Sequence, residues 1–316
     1  MASLSSNALL ALASAASWGG GDFSGGMGVK AAATDAGDST RGALRLVIVA
    51  HAVSLAVLLA ILACTHPARP AHAWIPSRPM LWALSAGVAA AISLTAFYMA
   101  LARGEMGVSA AISGLLAAAI PAVVSAFLEG VPAPLTLAGF LLAGAAIWII
   151  AAGPSPENVE ASHTRGTLAL ALVGGLGFGF YFVSLKFANP LGVVEPMALA
   201  RAASLVTCSA LLVITTTIPS PVSPHPRTRV SSTARRPWLS RPAILWALGV
   251  ALLDTGGNLL FLAATRRGRL DVASVLASLY PAGTILLAAW QLHERPTRRQ
   301  ITGMLLALAA VIMITL

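Results

Sequence analysis

The sequence predicts an all-α integral membrane protein: ten transmembrane helices arranged as two inverted five-helix repeats. Three observations predict it. The 316 residues are 57% hydrophobic and only 10% charged, with mean hydropathy +0.83, whereas soluble proteins carry about 25% charged residues. Ten apolar stretches are long enough to cross a bilayer. Finally, one part of the chain lies on another at a fixed shift with no gap.

The expected spans are residues 7–29, 42–64, 79–101, 107–128, 134–153, 166–188, 195–217, 242–264, 271–291 and 299–316. The first begins in MASLSSNALLALASAASWGGGD, which has the apolar run of a signal peptide but lacks its positive leader. The run continues past Asp22 to Val29, so we read it as a span. Breakers and charge collect between the spans. THPARPAHAWIPSRP follows the second, GPSPENVEASHTR the fifth, and a stretch rich in proline, serine and arginine the seventh. No polar stretch is long enough for a soluble core. The expected organisation is a first repeat over 1–153, a linker at 154–165 and a second repeat over 166–316, which includes the polar loop 218–241.

The formal charge of +9 invites a nucleic-acid partner. The arginines, however, lie in short loops between apolar runs, as they do in proteins that follow the positive-inside rule. Lys and Arg are in excess on the side opposite the N-terminus, which by that rule puts both termini outside. Cys64 and Cys208 lie in apolar runs and read as packing residues. No nucleotide loop, metal-spaced cluster or hydrolase motif occurs. We therefore expect no enzyme activity, no metal, no cofactor and no ATP-driven step.

The repeat is the strongest organising signal. A shift of 164 residues places Trp82–Ala152 on Trp246–Leu316, and 19 of the 71 positions are identical. Trp82 meets Trp246, Phe97 meets Phe261, Arg103-Gly104 meets Arg267-Gly268, and Pro132 meets Pro296. Five crossings separate span three from span eight, so the second copy is inverted. Transporters built this way bind substrate near midplane between the halves. Arg45 and Arg201, each early in its span, are expected to match.

Trp246–Thr265 would cross the membrane as one helix, yet Asp254 lies near its centre. A carboxylate there costs at least ~2.5–3.5 kcal/mol. Helical spacing puts Gly257, Asn258 and Phe261 on its face. Asp254 is either a carboxylate for a cation, a proton or a substrate amine, or a structural residue tied to a neighbour. Asp22, in SWGGGDFSGG, is either a second acid of the pathway or a cap on a broken helix near the headgroups. Trp18 either lines the cavity or packs. In span nine, Ser278 shares a face with Asp271 and Ser274, and Tyr280 precedes Pro281, which frees a backbone carbonyl; the alternative for the serines is helix packing. Lys186, Arg45 and Arg201 either snorkel to an interface or pair with Asp22 or Asp254. His51 either relays protons or packs with a hydrogen bond.

Several motifs resemble the drug/metabolite transporter superfamily, in particular its EamA-type ten-helix members. WGGGDFSGG is similar to the family's early Trp-Gly signature. FYMALARGEMGVSAAISGLLAAAIP resembles its span three to four junction, and FLAATRRGRLDVASVLASLYP repeats it. Glu294, Thr297, Gln300 and Gly303 resemble its closing motif, although the first copy has Gly130 where the second has Glu294. The resemblance implies a secondary exporter of metabolites, amino acids or drug-like compounds in the bacterial inner membrane. It also implies cytoplasmic termini, against the charge count, and we follow it. The expected partners are the bilayer, a small-molecule substrate, protons and a second copy of the chain. A lipid flippase or a non-transporting membrane enzyme or accessory subunit is the alternative. Asp254 and Asn258 lead the candidate site residues, followed by Asp22, Tyr280, Ser278, Trp18 and Lys186.

Overall fold

The computed structural model describes residues 6–36, 38–65, 77–102, 106–151, 161–217, 238–291 and 297–315. These form eleven helices: α1 (Ser6–Ala36), α2 (Ser39–Thr65), α3 (Arg78–Ala102), α4 (Met106–Glu129), α5 (Pro134–Ala151), α6 (Ala161–Ala188), α7 (Val194–Thr217), α8 (Arg241–Arg267), α9 (Leu270–Ala277), α10 (Tyr280–Gln291) and α11 (Arg298–Thr315). A short 3-10 turn, Asn189–Leu191, links α6 to α7. Helices are what an apolar chain must form in lipid, because each one satisfies its own backbone hydrogen bonds. Six of them (α2, α3, α4, α6, α7 and α8) contain stretches long and apolar enough to cross a membrane, while α5 and α11 hold shorter apolar segments. Several expected features lie outside the described residues: Arg103-Gly104, Glu294, Pro296, most of the linker and most of the 218–241 loop.

α1 packs most extensively along α8, α3 along α6 and α5 along α11; α2 packs against α7, and α4 against α6 and α9. The 27 residues of α8 span roughly 40 Å at 1.5 Å per residue. That exceeds a hydrocarbon core of ~30 Å, so both ends reach the headgroups and Asp254 sits at the middle. One face of α8 is apolar and open, with Leu252 75% exposed, while Asp254 and Asn258 are buried on the other. Apolar residues outward and polar ones inward is the arrangement that a lipid solvent selects.

Two features position the centre of the bundle. The serines of α1 bond to the α8 backbone, Ser14 to the Gly257 carbonyl at 2.8 Å and Ser17 to the Leu253 carbonyl at 2.7 Å. Gly257 then leaves room for Trp18, whose ring would lie 2.5 Å from a Cβ at that position. α1 is continuous through Asp22, so the broken helix considered for that residue does not form. The three preceding glycines serve close packing instead.

The expected ninth span is divided. α9 ends at Ala277 and α10 starts at Tyr280. Pro281 has no N–H, and its ring crowds the carbonyl four residues back. The backbone tightens across the break, with Leu279 N–H donating to Leu276 O at 3.3 Å and Ala282 N–H to Leu279 O at 3.1 Å. Pro121, by contrast, lies inside a continuous α4.

Candidate functional site

Arg201, on α7, organises the centre. It is 1% exposed, so it does not snorkel. Its guanidinium donates to Oδ2 of Asp254 on α8 in a short ion pair. It also donates through Nε to Ser54 Oγ at 3.1 Å and through Nη2 to Thr255 Oγ1 at 3.4 Å. Nη1 meets Nε2 of His51 at 2.8 Å. Arginine can only donate, so Nε2 accepts and the proton of His51 sits on Nδ1, directed at Ser204 Oγ 2.7 Å away. This assignment rests on the hydrogen-bond pattern and leaves His51 neutral. Ser54 and Thr255 share a bond of 2.6 Å.

The second oxygen of Asp254 is also occupied. Asn258, one turn along α8, donates to Oδ1 at 3.0 Å and to the Asp254 carbonyl at 2.7 Å. Its own Oδ1 accepts from Tyr181 of α6 at 2.8 Å. One connected network thus joins α2, α6, α7 and α8. A buried charge is tolerated when it is paired and its remaining lone pairs are bonded, and Asp254 meets both conditions.

The network opens on a small cavity. Asp22, Trp18, Arg201, Asp254, Asn258 and Tyr280 supply its polar and amphipathic lining; Ala90, Leu94, Phe178 and Phe182 are among the apolar lining residues. About 30 Å³ of it is open to the centres of water molecules, room for about two waters. Trp18 stacks on Phe182 with ring centroids 5.0 Å apart and planes 7° from parallel. Phe182 in turn lies 4.6 Å from Phe261.

Five of the seven candidate residues therefore meet at one place: Asp254, Asn258, Asp22, Trp18 and Tyr280. Ser278 is fully buried at the α9–α10 break and does not line the cavity. Lys186 lies elsewhere. Its Nζ pairs with Glu129 Oε1 at 2.8 Å and donates to the Thr265 carbonyl at 3.3 Å, so its ion-pair partner is neither Asp22 nor Asp254. Arg45 donates to the Trp238 carbonyl at 3.0 Å, outside the core, and so does not correspond in place to Arg201.

The network residues that the sequence reading passed over are Ser54, Ser204, Thr255 and Tyr181. Two of them carried a signal. His51-x-x-Ser54 and Arg201-x-x-Ser204 are polar pairs at helical spacing inside apolar spans.

Residues 165–316 match the EamA-like transporter family. No curated protein matches the chain. A protein of known crystal structure aligns over 99% of this chain and 99% of its own, with a TM-score of 0.65 at 16% identity, a likeness that speaks for the fold alone. This match, confined to the second half of the chain, supports membership of the drug/metabolite transporter superfamily.

Proposed function

We propose that the protein is a secondary transporter of the inner membrane with cytoplasmic termini. It exports small metabolites or drug-like compounds by alternating access between two inverted halves. The observation that carries this reading is the buried Arg201–Asp254 pair beside a cavity at mid-membrane. A polar network at that depth costs too much to keep for packing alone. The cavity beside Asp254 favours transport over a non-transporting subunit.

Several features support the inverted halves. Counting α9 and α10 as one span, the α1–α8 and α3–α6 packings exchange when each span is matched with the one five later. His51 then matches Arg201 and Ser54 matches Ser204, and the Arg201–Ser54 and His51–Ser204 bonds exchange. Trp18 matches Phe182, and residues exchanged by a two-fold axis can meet on it, as these two rings do.

In this reading Arg201 and Asp254 clamp α7 to α8, and the clamp must loosen for the site to open. The test is solute efflux from reconstituted vesicles without ATP. Asp254→Asn should slow it at least about tenfold through the lost pair. Wild-type rates in that variant would refute the role of Asp254. Failure of the wild type to move any solute of a metabolite panel would refute transport.

A further inference from the structure

A groove of about 520 Å³ runs between α3 and α6 on the outside of the bundle. Its walls are Val88 and Ile92 of α3 and Leu176 and Phe180 of α6, each between 42% and 52% exposed. Two hydroxyls also line it, and both bond within their own helix. Ser85 donates to the Trp82 carbonyl at 2.9 Å and Ser93 to the Ala89 carbonyl at 2.6 Å. The groove therefore offers no open polar side chain, and a polar occupant would lose its own hydrogen bonds there. At the floor Gly177 meets Ser93, whose hydroxyl would be 2.0 Å from a Cβ on the glycine. This close contact separates the groove from the central cavity, which Ala90, Leu94 and Phe178 line from the other side.

What lies above the groove gives its orientation. α3 begins at Arg78, and Arg78, Ser85 and Ile92 share one helix face at heptad spacing. At 1.5 Å per residue the groove runs from ~10 to ~21 Å below Arg78. The hydrocarbon of one leaflet is ~15 Å thick, so the groove follows a single leaflet from beneath the headgroups to about midplane. Arg78 is exposed, and it has no hydrogen-bond or ion-pair partner among the described residues. One turn below it Trp82 stacks on Phe187, with centroids 4.9 Å apart and planes 28° from parallel, and lies 6.3 Å from Phe180. Aromatic residues of this kind occupy the headgroup boundary. In order of depth, then, come a free cation, an aromatic collar and an apolar groove.

We propose that this face binds one phospholipid with a net negative headgroup, of the phosphatidylglycerol class. Its acyl chain fills the groove, its glycerol lies at Trp82, and the Arg78 guanidinium holds its phosphate, a charge-assisted contact suited to the planar fork of arginine. Lipid tails are as apolar as the groove walls, so the groove supplies shape and Arg78 supplies selectivity. A choline headgroup would bring a second cation to Arg78 and gain less. The lipid bridges α3 and α6, which share no side-chain hydrogen bond along the groove. In the α1–α8 seam that task falls to Ser14 and Ser17.

Native mass spectrometry of the full chain, released from nanodiscs holding equal phosphatidylglycerol and phosphatidylcholine, counts the lipids that stay bound. Wild type should retain one phosphatidylglycerol per chain, favoured at least about fivefold over phosphatidylcholine, the share that one basic residue near the headgroups supplies. Arg78→Gln should retain a lipid without preference. Val88→Trp and Ile92→Trp, which fill the groove at two depths, should retain neither lipid. Leu252→Trp, on the open face of α8, should behave as wild type, and circular dichroism checks that all four variants fold. Glycerol 3-phosphate, which has no chain, should not displace the lipid. Equal retention of the two lipids by wild type, a preference that survives in Arg78→Gln, retention that survives in both groove variants, or displacement by glycerol 3-phosphate would overturn the proposal. Transport plays no part in the measurement, so its outcome is independent of the transporter reading.

Discussion

Replacing Arg201 by methionine keeps the length of the side chain but removes all of its donors. Asp254 then retains only Asn258 as a side-chain donor, and Ser54 and His51 each lose one bond. Removing one partner of a buried pair costs about 3–5 kcal/mol, because the other charge stays buried and uncompensated. Asp254→Leu should cost a similar amount by stranding the guanidinium, which is 1% exposed. The double variant strands no charge. The Ser54–Thr255 bond of 2.6 Å and the His51–Ser204 bond of 2.7 Å survive in it. It should therefore be more stable than the sum of the single losses predicts by about 2 kcal/mol or more, a coupling within the range for residues in one network. Denaturant unfolding in mixed micelles measures this, with alkylation of Cys208 as the signal. That thiol is buried on α7 in the folded chain, whereas Cys64 is exposed and serves as a labelling reference. Single costs that add to within about 0.5 kcal/mol would mean no coupling and would refute the account of the pair.

Other outcomes follow from the same geometry. Gly257→Val should abolish transport and quench or shift Trp18 emission, since a Cβ there would sit 2.5 Å from the indole; unchanged fluorescence and transport would contradict the packing. Pro281→Ala should let α9 and α10 join, raising thermal stability while slowing transport if the break is a moving part, with circular dichroism and efflux as the measurements. Lys186→Met should lower stability by less than about 1 kcal/mol, because its pair with Glu129 is partly exposed on both sides. A maleimide that dissolves in the membrane should label Cys64 and spare Cys208 until the protein unfolds, which mass spectrometry on the intact chain can follow.

The membrane class was legible in composition, because hydropathy reports directly on the solvent a chain is built for. The helices followed from the same pattern with small errors at their ends, except in the ninth expected span. There Pro281 was noticed, but whether a proline kinks or breaks a helix depends on what its neighbours do with the freed carbonyl. Pro121 and Pro281 had similar sequence settings and different outcomes. Asp254, Asn258, Asp22, Trp18 and Tyr280 could be singled out because charged, amide and aromatic groups are conspicuous in apolar runs. Ser54 and Ser204 were marked only by their spacing from His51 and Arg201, and Thr255 not at all, since hydroxyls are common in membrane helices and most serve only packing.

The sequence alone therefore determined that this chain lives in lipid, which stretches form helices, and which residues carry a polar cost at midplane. Those properties depend on local composition and periodicity. Tertiary structure decided which of those costs are met. Arg201, two turns into α7, looked able to reach an interface and turns inward to hold Asp254, while Lys186 takes Glu129 and Asp22 has no hydrogen-bond or ion-pair partner among the described residues. Pairing is a matter of which helices pack together and at what rotation. It is fixed by contacts between residues hundreds of positions apart, such as Ser14 with Gly257, 243 positions away, and no local pattern encodes it. The carboxylate that seemed most anomalous in the sequence is the satisfied one, and the one on α1 faces the cavity without a partner among the described residues.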